Sequence, residues 1–240
     1  MTSNSVTSDN LSVNSFTIDT TPPSLAVTTL VPSLTNDDTP NYTFSSTEAG
    51  RITYGNCSSD NASAAADNNT ITYNELDDGF YSNCTIRVRD SAGNTSSTLE
   101  VNAFRIDDTP PSLSPVIAVS TPNNDNVTSY TFHSTEAGDI TYAGTTGCAS
   151  DNNTTRAVKD NNTITFNALP EGDYNCTIRV TDNASNTSDN LTVNTFVIDR
   201  TVPILDNVTN VPTLTNDNET SYTFSSTEEG VITYHVGDCS

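Results

Sequence analysis

The strongest constraint on this chain is that it repeats itself. Asp19, Asp107 and Asp199 stand 88 and then 92 residues apart, and Tyr42, Tyr130 and Tyr222 keep the same two intervals. Whole phrases return between these anchors. "YTFSSTEAGRITY" at 42 recurs as "YTFHSTEAGDITY" at 130 and "YTFSSTEEGVITY" at 222, and "NNTITYNELDDGFYSNCTIRVRDSAGNTS" from 68 recurs as "NNTITFNALPEGDYNCTIRVTDNASNTS" from 161. Agreement over such lengths identifies a tandem array of units of about 90 residues, each able to bury its own core.

The array is read with a partial unit at each end. Residues 5–19 align with 185–199, the last strand of a unit, while Cys239 takes the place of Cys57 and Cys148 just before the chain stops. The expected division is therefore 1–19 as the C-terminal strand of a truncated repeat and 20–107 as the first full repeat. Residues 108–199 form the second, and 200–240 the N-terminal half of a third. Such a chain is expected to be a slice of a longer protein.

Each unit reads as short β segments. In the first, A lies near 24–30, B at 41–47, C at 51–55, E at 69–75, F at 80–90 and G at 98–107. Tyr42/Phe44, Ile52/Tyr54, Ile71/Tyr73 and Ile86/Val88 alternate with polar residues, the period-two pattern of half-buried strands. In G, Leu99 and Val101 share one parity, Phe104 and Ile106 the other, which places a bend near Asn102. Asn14 and Asn194 mark the same switch in the other copies. Six or seven strands without helical periodicity imply an all-β fold of antiparallel two-sheet sandwiches.

The corner between E and F narrows this further. "LDDGFY" and "LPEGDY" fit L-x-[DE]-G-x-Y, the pattern of a tyrosine corner in which Tyr81 and Tyr174 bond back to the corner backbone and glycine permits a positive φ. The fold class is thus tandem immunoglobulin-like β-sandwiches. The frame D-x-T-x-P, Y-T-F, E-A-G, I-T-Y, D-G-x-Y, T-I-x-V-x-D-x-A-x-N-x-S, F-x-I-D resembles the bacterial immunoglobulin-like repeats of large surface proteins, over essentially the whole chain. The resemblance implies the stalk of an adhesin or related secreted protein, on the cell surface or outside the cell, and for some such arrays bound calcium.

The chain departs from the antibody pattern: it has no Trp, and strand B carries no Cys. In a sandwich C and F are antiparallel neighbours, so the end of C lies beside the start of F, and the expected pairs are Cys57–Cys84 and Cys148–Cys176. Cys239 is left without a partner by truncation. Buried free thiols are the alternative. Zinc-site spacing is missing, since no CxxC occurs and His133 and His235 are the only histidines.

Asp and Glu number 30 against 8 Lys and Arg, a formal charge of −22 that repels nucleic acid and anionic membrane and attracts cations. No apolar run approaches the roughly 18–20 residues that span a bilayer. In the sandwich topology the AB and EF turns gather Asp37, Asp38, Asp77 and Asp78 near Asp107 and Asp108, with Glu136 and Asp182 from the following repeat. Carboxylates in such numbers suit Ca²⁺, which takes 6–8 oxygen ligands. Asp107, Asp108, Glu136 and Asp182 are the leading candidate ligands of a structural calcium, with Asp37, Asp38, Asp77 and Asp78 behind them. The competing explanation is that Asp and Asn favour turns for backbone reasons and that acidic surfaces keep proteins soluble.

The remaining signals carry less. Asn41, Asn94, Asn126 and Asn186 begin N-x-[ST] triplets, which an Asn- and Thr-rich chain produces by composition. No histidine pairs with a nucleophile and no glycine-rich phosphate loop occurs, so no catalysis is expected. The sequence is read as a stalk or spacer whose partners are neighbouring repeats of the same longer chain. Carbohydrate-binding accessory repeats of a polysaccharide-active enzyme and viral or phage display domains are the alternatives.

Overall fold

In the computed structural model, which describes residues 7, 9–150 and 155–234, every regular element is a strand. The described residues divide into two compact units. One runs to Pro111 and includes Thr181–Ser188; the other comprises Ser112–Val180 and the residues from Asp189 onward.

The first unit contains β1 (Leu25–Thr29), β2 (Leu34–Thr35), β3 (Asn41–Ser46), β4 (Gly50–Gly55), β5 (Ser63–Ala64), β6 (Asp67–Thr72), β7 (Gly79–Tyr81), β8 (Thr85–Arg89), β9 (Leu99–Glu100) and β10 (Phe104–Ile106). They assemble in the orders β1-β3-β6, β5-β4-β8-β9 and β2-β10-β7. All described pairings here are antiparallel except β10 with β2. Alternation decides which side chains face inward. Tyr42, Phe44, Ile71, Ile86 and Val88 are buried, while Arg87 and Arg89 between and beyond them are exposed. Val31, Ile52, Tyr73, Val101, Phe104 and Ile106 complete one core, in which the Tyr81 and Phe104 rings stack with centroids 5.3 Å apart.

Strands F and G, read from sequence as continuous runs, are each split: F into β7 and β8, G into β9 and β10. E spans Asp67–Thr72 rather than 69–75. The interruption of G coincides with the parity switch, and a side chain replaces the lost ladder. Asn102 Nδ2 donates to the Val31 carbonyl at 2.8 Å while its Oδ1 accepts from the Val31 amide at 3.2 Å. The side-chain amide offers a donor and an acceptor side by side and so satisfies both backbone groups of one residue, as a neighbouring strand would.

The second unit repeats the plan with β11 (Leu113–Ile117), β12 (Ser129–Ser134), β13 (Gly138–Gly144), β14 (Arg156–Ala157), β15 (Asp160–Thr165), β16 (Gly172–Tyr174), β17 (Cys176–Asp182), β18 (Leu191–Thr192) and β19 (Phe196–Ile198). Asn194 bonds both the amide and the carbonyl of Val119, at 2.9 Å each. Cys57 is joined to Cys84 with Cα atoms 5.1 Å apart, and Cys148 to Cys176 at 5.5 Å, tying the end of C to the start of F in each unit. Closing a loop of this size stabilises by about 3–4 kcal/mol in the chain-entropy description. Cys239 lies outside the described residues.

The corner tyrosines donate to backbone carbonyls four residues upstream, Tyr81 to Asp77 at 2.9 Å and Tyr174 to Pro170 at 2.8 Å. The glycine between has φ +144° at Gly172, whereas Gly79 lies outside the left-handed region. The expectation of a positive φ in this motif is therefore corrected for the first repeat: its corner closes without one.

Beyond the second sandwich, β20 (Leu205–Thr209) and β21 (Thr223–Ser226) pair as a two-stranded ribbon. Tyr222 is 55% exposed there, while its counterparts Tyr42 and Tyr130 are at 1%.

Candidate functional site

Three carboxylates of the first unit converge where the chain enters the sandwich. Ligand oxygens of Asp19, Glu48 and Asp90 all lie within 4.8 Å of one another. Asp19 precedes the stiff Thr21-Pro22-Pro23 segment and is turned by its own Oδ1, which accepts the Thr21 amide at 3.0 Å. Glu48 sits in the turn between β3 and β4, where Ser46 Oγ donates to the Glu48 carbonyl at 2.6 Å. Asp90 follows β8 and organises the turn into G: its Oδ1 accepts the amides of Gly93 and Asn94 at 2.7 and 2.8 Å.

Asn94 binds this arrangement together. Its Nδ2 donates to Asp90 Oδ2 at 2.9 Å and to the Asp19 carbonyl at 3.1 Å. The turn between F and G thus grips the residue that ends the preceding repeat segment. The electrostatics are uneven. Burial opposes ionisation of Asp90, but the Asn94 side chain and the amides of Asn94, Gly93 and Ala92 outweigh it and hold the carboxyl below its usual range. Glu48 is pushed up, first by desolvation and then by the negative charges of Asp19 and Asp90. The set is a fixed anion beside a carboxylate that its neighbours repel.

Asp19, Glu48 and Asp90 were not singled out from the sequence, although the repeat carried the signal. Subtracting the repeat intervals of 88, 88 and 92 from Asp107, Glu136 and Asp182 lands on them. At the later positions Asn186 plays the part of Asn94. Its Nδ2 donates to the Asp107 carbonyl at 2.7 Å and to Asp182 Oδ2 at 2.9 Å. Asp107 is pushed up by burial and then by the charges of Asp182 and Asp78, with Arg105 opposing. Glu136 lies in the turn between β12 and β13, its carbonyl accepting from Ser134 Oγ at 2.6 Å.

The other candidate acids do different work. Asp78 Oδ1 accepts the Asp108 amide at 2.8 Å, and its Oδ2 accepts the Thr109 hydroxyl. These bonds, Thr109 first, lower Asp78; the hydrogen bond to Asp78 and its charge raise Asp108. Asp78 therefore latches the corner onto the linker. Asp37 closes its own turn by accepting the Thr39 amide at 3.0 Å. Asp38 and Asp77 contribute backbone carbonyls, to Leu76 and Tyr81 respectively. Nor is Asn186 presented for glycosylation, since it is buried and its amide nitrogen is committed twice.

As a donor set the three acids suit a hard cation. Two ligands of one Ca²⁺ are separated by at most about 5 Å, twice a Ca–O distance of about 2.6 Å, and carbonyls or water complete the 6–8 positions.

Residues 160–230 match the family described as bacterial Ig-like domain (group 3). The matched stretch runs from β15 through β21, so it takes in the end of the second sandwich and the ribbon that follows. The phrase "NNTITY" through "AGNTS" of the first unit repeats the frame that lies inside the matched segment. Among solved structures, the fibronectin(III)-like modules of Clostridium thermocellum CbhA share 11% identity over 72% of this chain and 93% of theirs, with a TM-score of 0.35. The D00–D0 domain of intimin shares 12% over 74% and 99%, with a TM-score of 0.34. A C-terminal 282-residue intimin fragment, in complex with the intimin-binding domain of the translocated intimin receptor, shares 10% over 76% and 66%, with a TM-score of 0.38. No curated protein sequence matches the chain.

Proposed function

We propose that this chain is a spacer segment of a secreted or cell-surface bacterial protein of the adhesin type, with calcium stiffening its joints. Repeats 20–107 and 108–199 stand in series along the chain between the segment 1–19 and the half-repeat 200–240, and the partners of each repeat are its neighbours. Each sandwich supplies its own core and disulfide. The joint is built from a proline-bounded linker, an F–G asparagine on the linker carbonyl, and carboxylates around it. Calcium at Asp19, Glu48 and Asp90 would cancel the mutual repulsion of these acids, and the sequence frame carries the same acid types at Asp107, Glu136 and Asp182.

The observation that carries the reading is the convergence of Asp19, Glu48 and Asp90 with Asn94 locked onto the Asp19 carbonyl. Extracellular Ig-like modules meet calcium at concentrations that suit weak sites, with Kd around 10⁻⁴–10⁻³ M. Calorimetric titration of the chain should show saturable Ca²⁺ binding, from which Asp90→Asn removes the site at Asp19, Glu48 and Asp90. Absence of heat up to 10 mM, roughly ten times the weakest of those Kd values, would end the calcium part. The spacer part is tested separately by the flanking gene sequence: further copies and a surface anchor support it, whereas an adjoining polysaccharide-active catalytic domain favours an accessory module.

A further inference from the structure

The outward face of the β5-β4-β8-β9 sheet concentrates positive charge in a chain that otherwise has almost none. Arg51 and Arg89 are direct cross-strand partners, in a row continued by Ser63 and Thr95. The next row pairs Thr53 with Arg87, and the row after it holds Gly55, Thr85 and Glu100. Three of the chain's 8 basic residues thus share one face of one repeat, against a net charge of −22. Like charges directly opposite on a sheet repel and cost stability. Their neighbours do not neutralise them. Arg87 Nε donates to Thr98 Oγ1 at 2.8 Å and Arg89 Nε to the Gly93 carbonyl at 3.1 Å, both neutral acceptors. Among the described residues none of the three arginines is in an ion pair.

The second repeat shows that the fold does not require this. At the equivalent positions it carries Asp139, Arg179 and Thr181, and Asp139 pairs with Arg156 at 3.2 Å. The sheet is the same; the charge concentration belongs to the first repeat alone.

We infer that this face binds an acidic polysaccharide through its carboxylate or sulfate groups. Guanidinium groups present planar forks of donors that match such oxyanions bidentately, and they are weakly hydrated enough to give up water for them. Residues two apart on a strand are about 6.7 Å apart and adjacent strands about 4.8 Å, so the three stems form a compact triangle rather than a long stripe. Ser63, Thr53, Thr85 and Thr95 frame it with hydroxyls, which are apt partners for sugar hydroxyls. A nucleic acid is disfavoured. Duplex DNA brings one negative charge per about 1.7 Å of axis, and the acidic remainder of the chain would repel it beyond three arginines' reach. A saccharide with one charge per sugar incurs far less of that repulsion.

The test uses the 240-residue chain in EDTA, so that no cation bridges acid to acid. Binding to polygalacturonate, dextran sulfate, neutral dextran and double-stranded DNA is measured by interferometry at low and physiological salt. The expected result is saturable, salt-weakened binding to polygalacturonate, dextran sulfate or both, the two arms deciding which anion is preferred. Arg51→Gln and Arg89→Gln should each lower affinity about tenfold, as for loss of one charge-assisted contact. Arg105→Gln, on a different sheet, should leave it unchanged. Binding to neither anion, equal binding to neutral dextran, equal or tighter binding to DNA, or indifference to the Arg51 and Arg89 substitutions would each overturn the assignment.

Discussion

The two complete sandwiches follow one sequence frame, and where they differ separates what the fold demands from what it permits. Both keep the buried Phe and Ile of strands B, E, F and G, the corner tyrosine, the disulfide, the asparagine that replaces the ladder in G, and the F–G asparagine on the linker. They differ at Tyr73 against Phe166, at Gly93 against Ser185, and across the outward face of strands C and F. The shared set lies in the core or at the joint. Most of the differences are exposed, and two of them reach the backbone or the core, where they carry a physical cost that one copy bears and the other avoids.

The largest expected effect contrasts a covered position with an uncovered one. Phe104 and Phe196 are each 1% exposed, while Phe16, at the same place in the frame, is 78% exposed. Phe104→Ala or Phe196→Ala should cost about 3–5 kcal/mol, read by denaturant unfolding. Phe16→Ala should stay within about 0.5 kcal/mol. A large cost at Phe16 would mean that the segment 9–19 is packed against something, and would erase the distinction.

Next in size is the joint. At calcium one hundred times Kd, binding should add about 2.7 kcal/mol to the stability of the liganded unit. Glu48→Gln should remove that gain yet raise stability in EDTA at neutral pH, because Glu48 is repelled by Asp19 and Asp90. The pH dependence separates the two acids. Asp90 is depressed in the fold, so its contribution is present above the unfolded value of about 3.9 and is lost as pH falls through the folded one. Glu48 is raised, so stability in EDTA should instead increase as pH falls through its folded value. Thermal melts of the Asp90→Asn and Glu48→Gln variants across pH 3–7, a range set to bracket these about-4 reference values, should show slopes of opposite change. Identical slopes would show that the set does not interact as the geometry implies.

These contrasts also show how much was legible beforehand. Alternation in "YTF", "TIT" and "TIRV" exposed the inward positions because each strand buries one face, and copying across repeats removed the ambiguity of short apolar runs. The break in G was visible as a parity switch at Asn102, but its partner Val31 was not, since nothing local ties residues 71 positions apart. The acids were harder. Asp38 and Asp77 also act through their carbonyls, which residue type does not reveal, whereas Asp19, Glu48 and Asp90 could have been found by repeat arithmetic alone. Asn94 and Asn186 stood out only as the first residues of N-x-[ST] triplets, because a side-chain bond to the preceding repeat segment leaves no periodic trace. The arginine face was in plain view, at the outward parity of "RITYG" and "TIRVRD", but only the strand register sets Arg51 opposite Arg89.

A smaller effect is expected in the F–G turn. Gly93 adopts φ +100°, and Ser185 at the same place is held at φ +78°. A non-glycine residue in that region is strained by about 1–2 kcal/mol, partly offset because glycine has more freedom to lose on folding. Ser185→Gly should therefore stabilise by about 0.5–1 kcal/mol, and Gly93→Ser should cost a similar amount. A side chain added at Gly93 meets the mobile end of Arg89, so conformation rather than collision sets the loss. If the two substitutions shift the melting temperature in the same direction, the turn is not equivalent in the two copies.

The smallest effect concerns a hydroxyl. Tyr42, Tyr73 and Tyr130 are buried with no hydrogen-bond partner for their OH groups among the described residues, and burial, then the neighbouring Tyr42 and Tyr54, push Tyr73 far above the ordinary tyrosine range. The second repeat places Phe166 where Tyr73 stands, packed on Phe196 much as Tyr73 packs on Phe104. An unpaired buried hydroxyl costs about 1–3 kcal/mol relative to a satisfied one, while the ring supplies the same apolar contact in either residue. Tyr73→Phe should thus be neutral or stabilising by up to about 1 kcal/mol, with the disulfide and the Tyr81–Phe104 stack unaffected. Phe166→Tyr should destabilise, because it inserts a polar group into a core with nothing arranged to receive it. Chemical denaturation of both variants decides the matter. A loss of more than about 1 kcal/mol for Tyr73→Phe would show that the hydroxyl is bonded after all, and that the two cores, alike in their apolar packing, are held by different polar interiors.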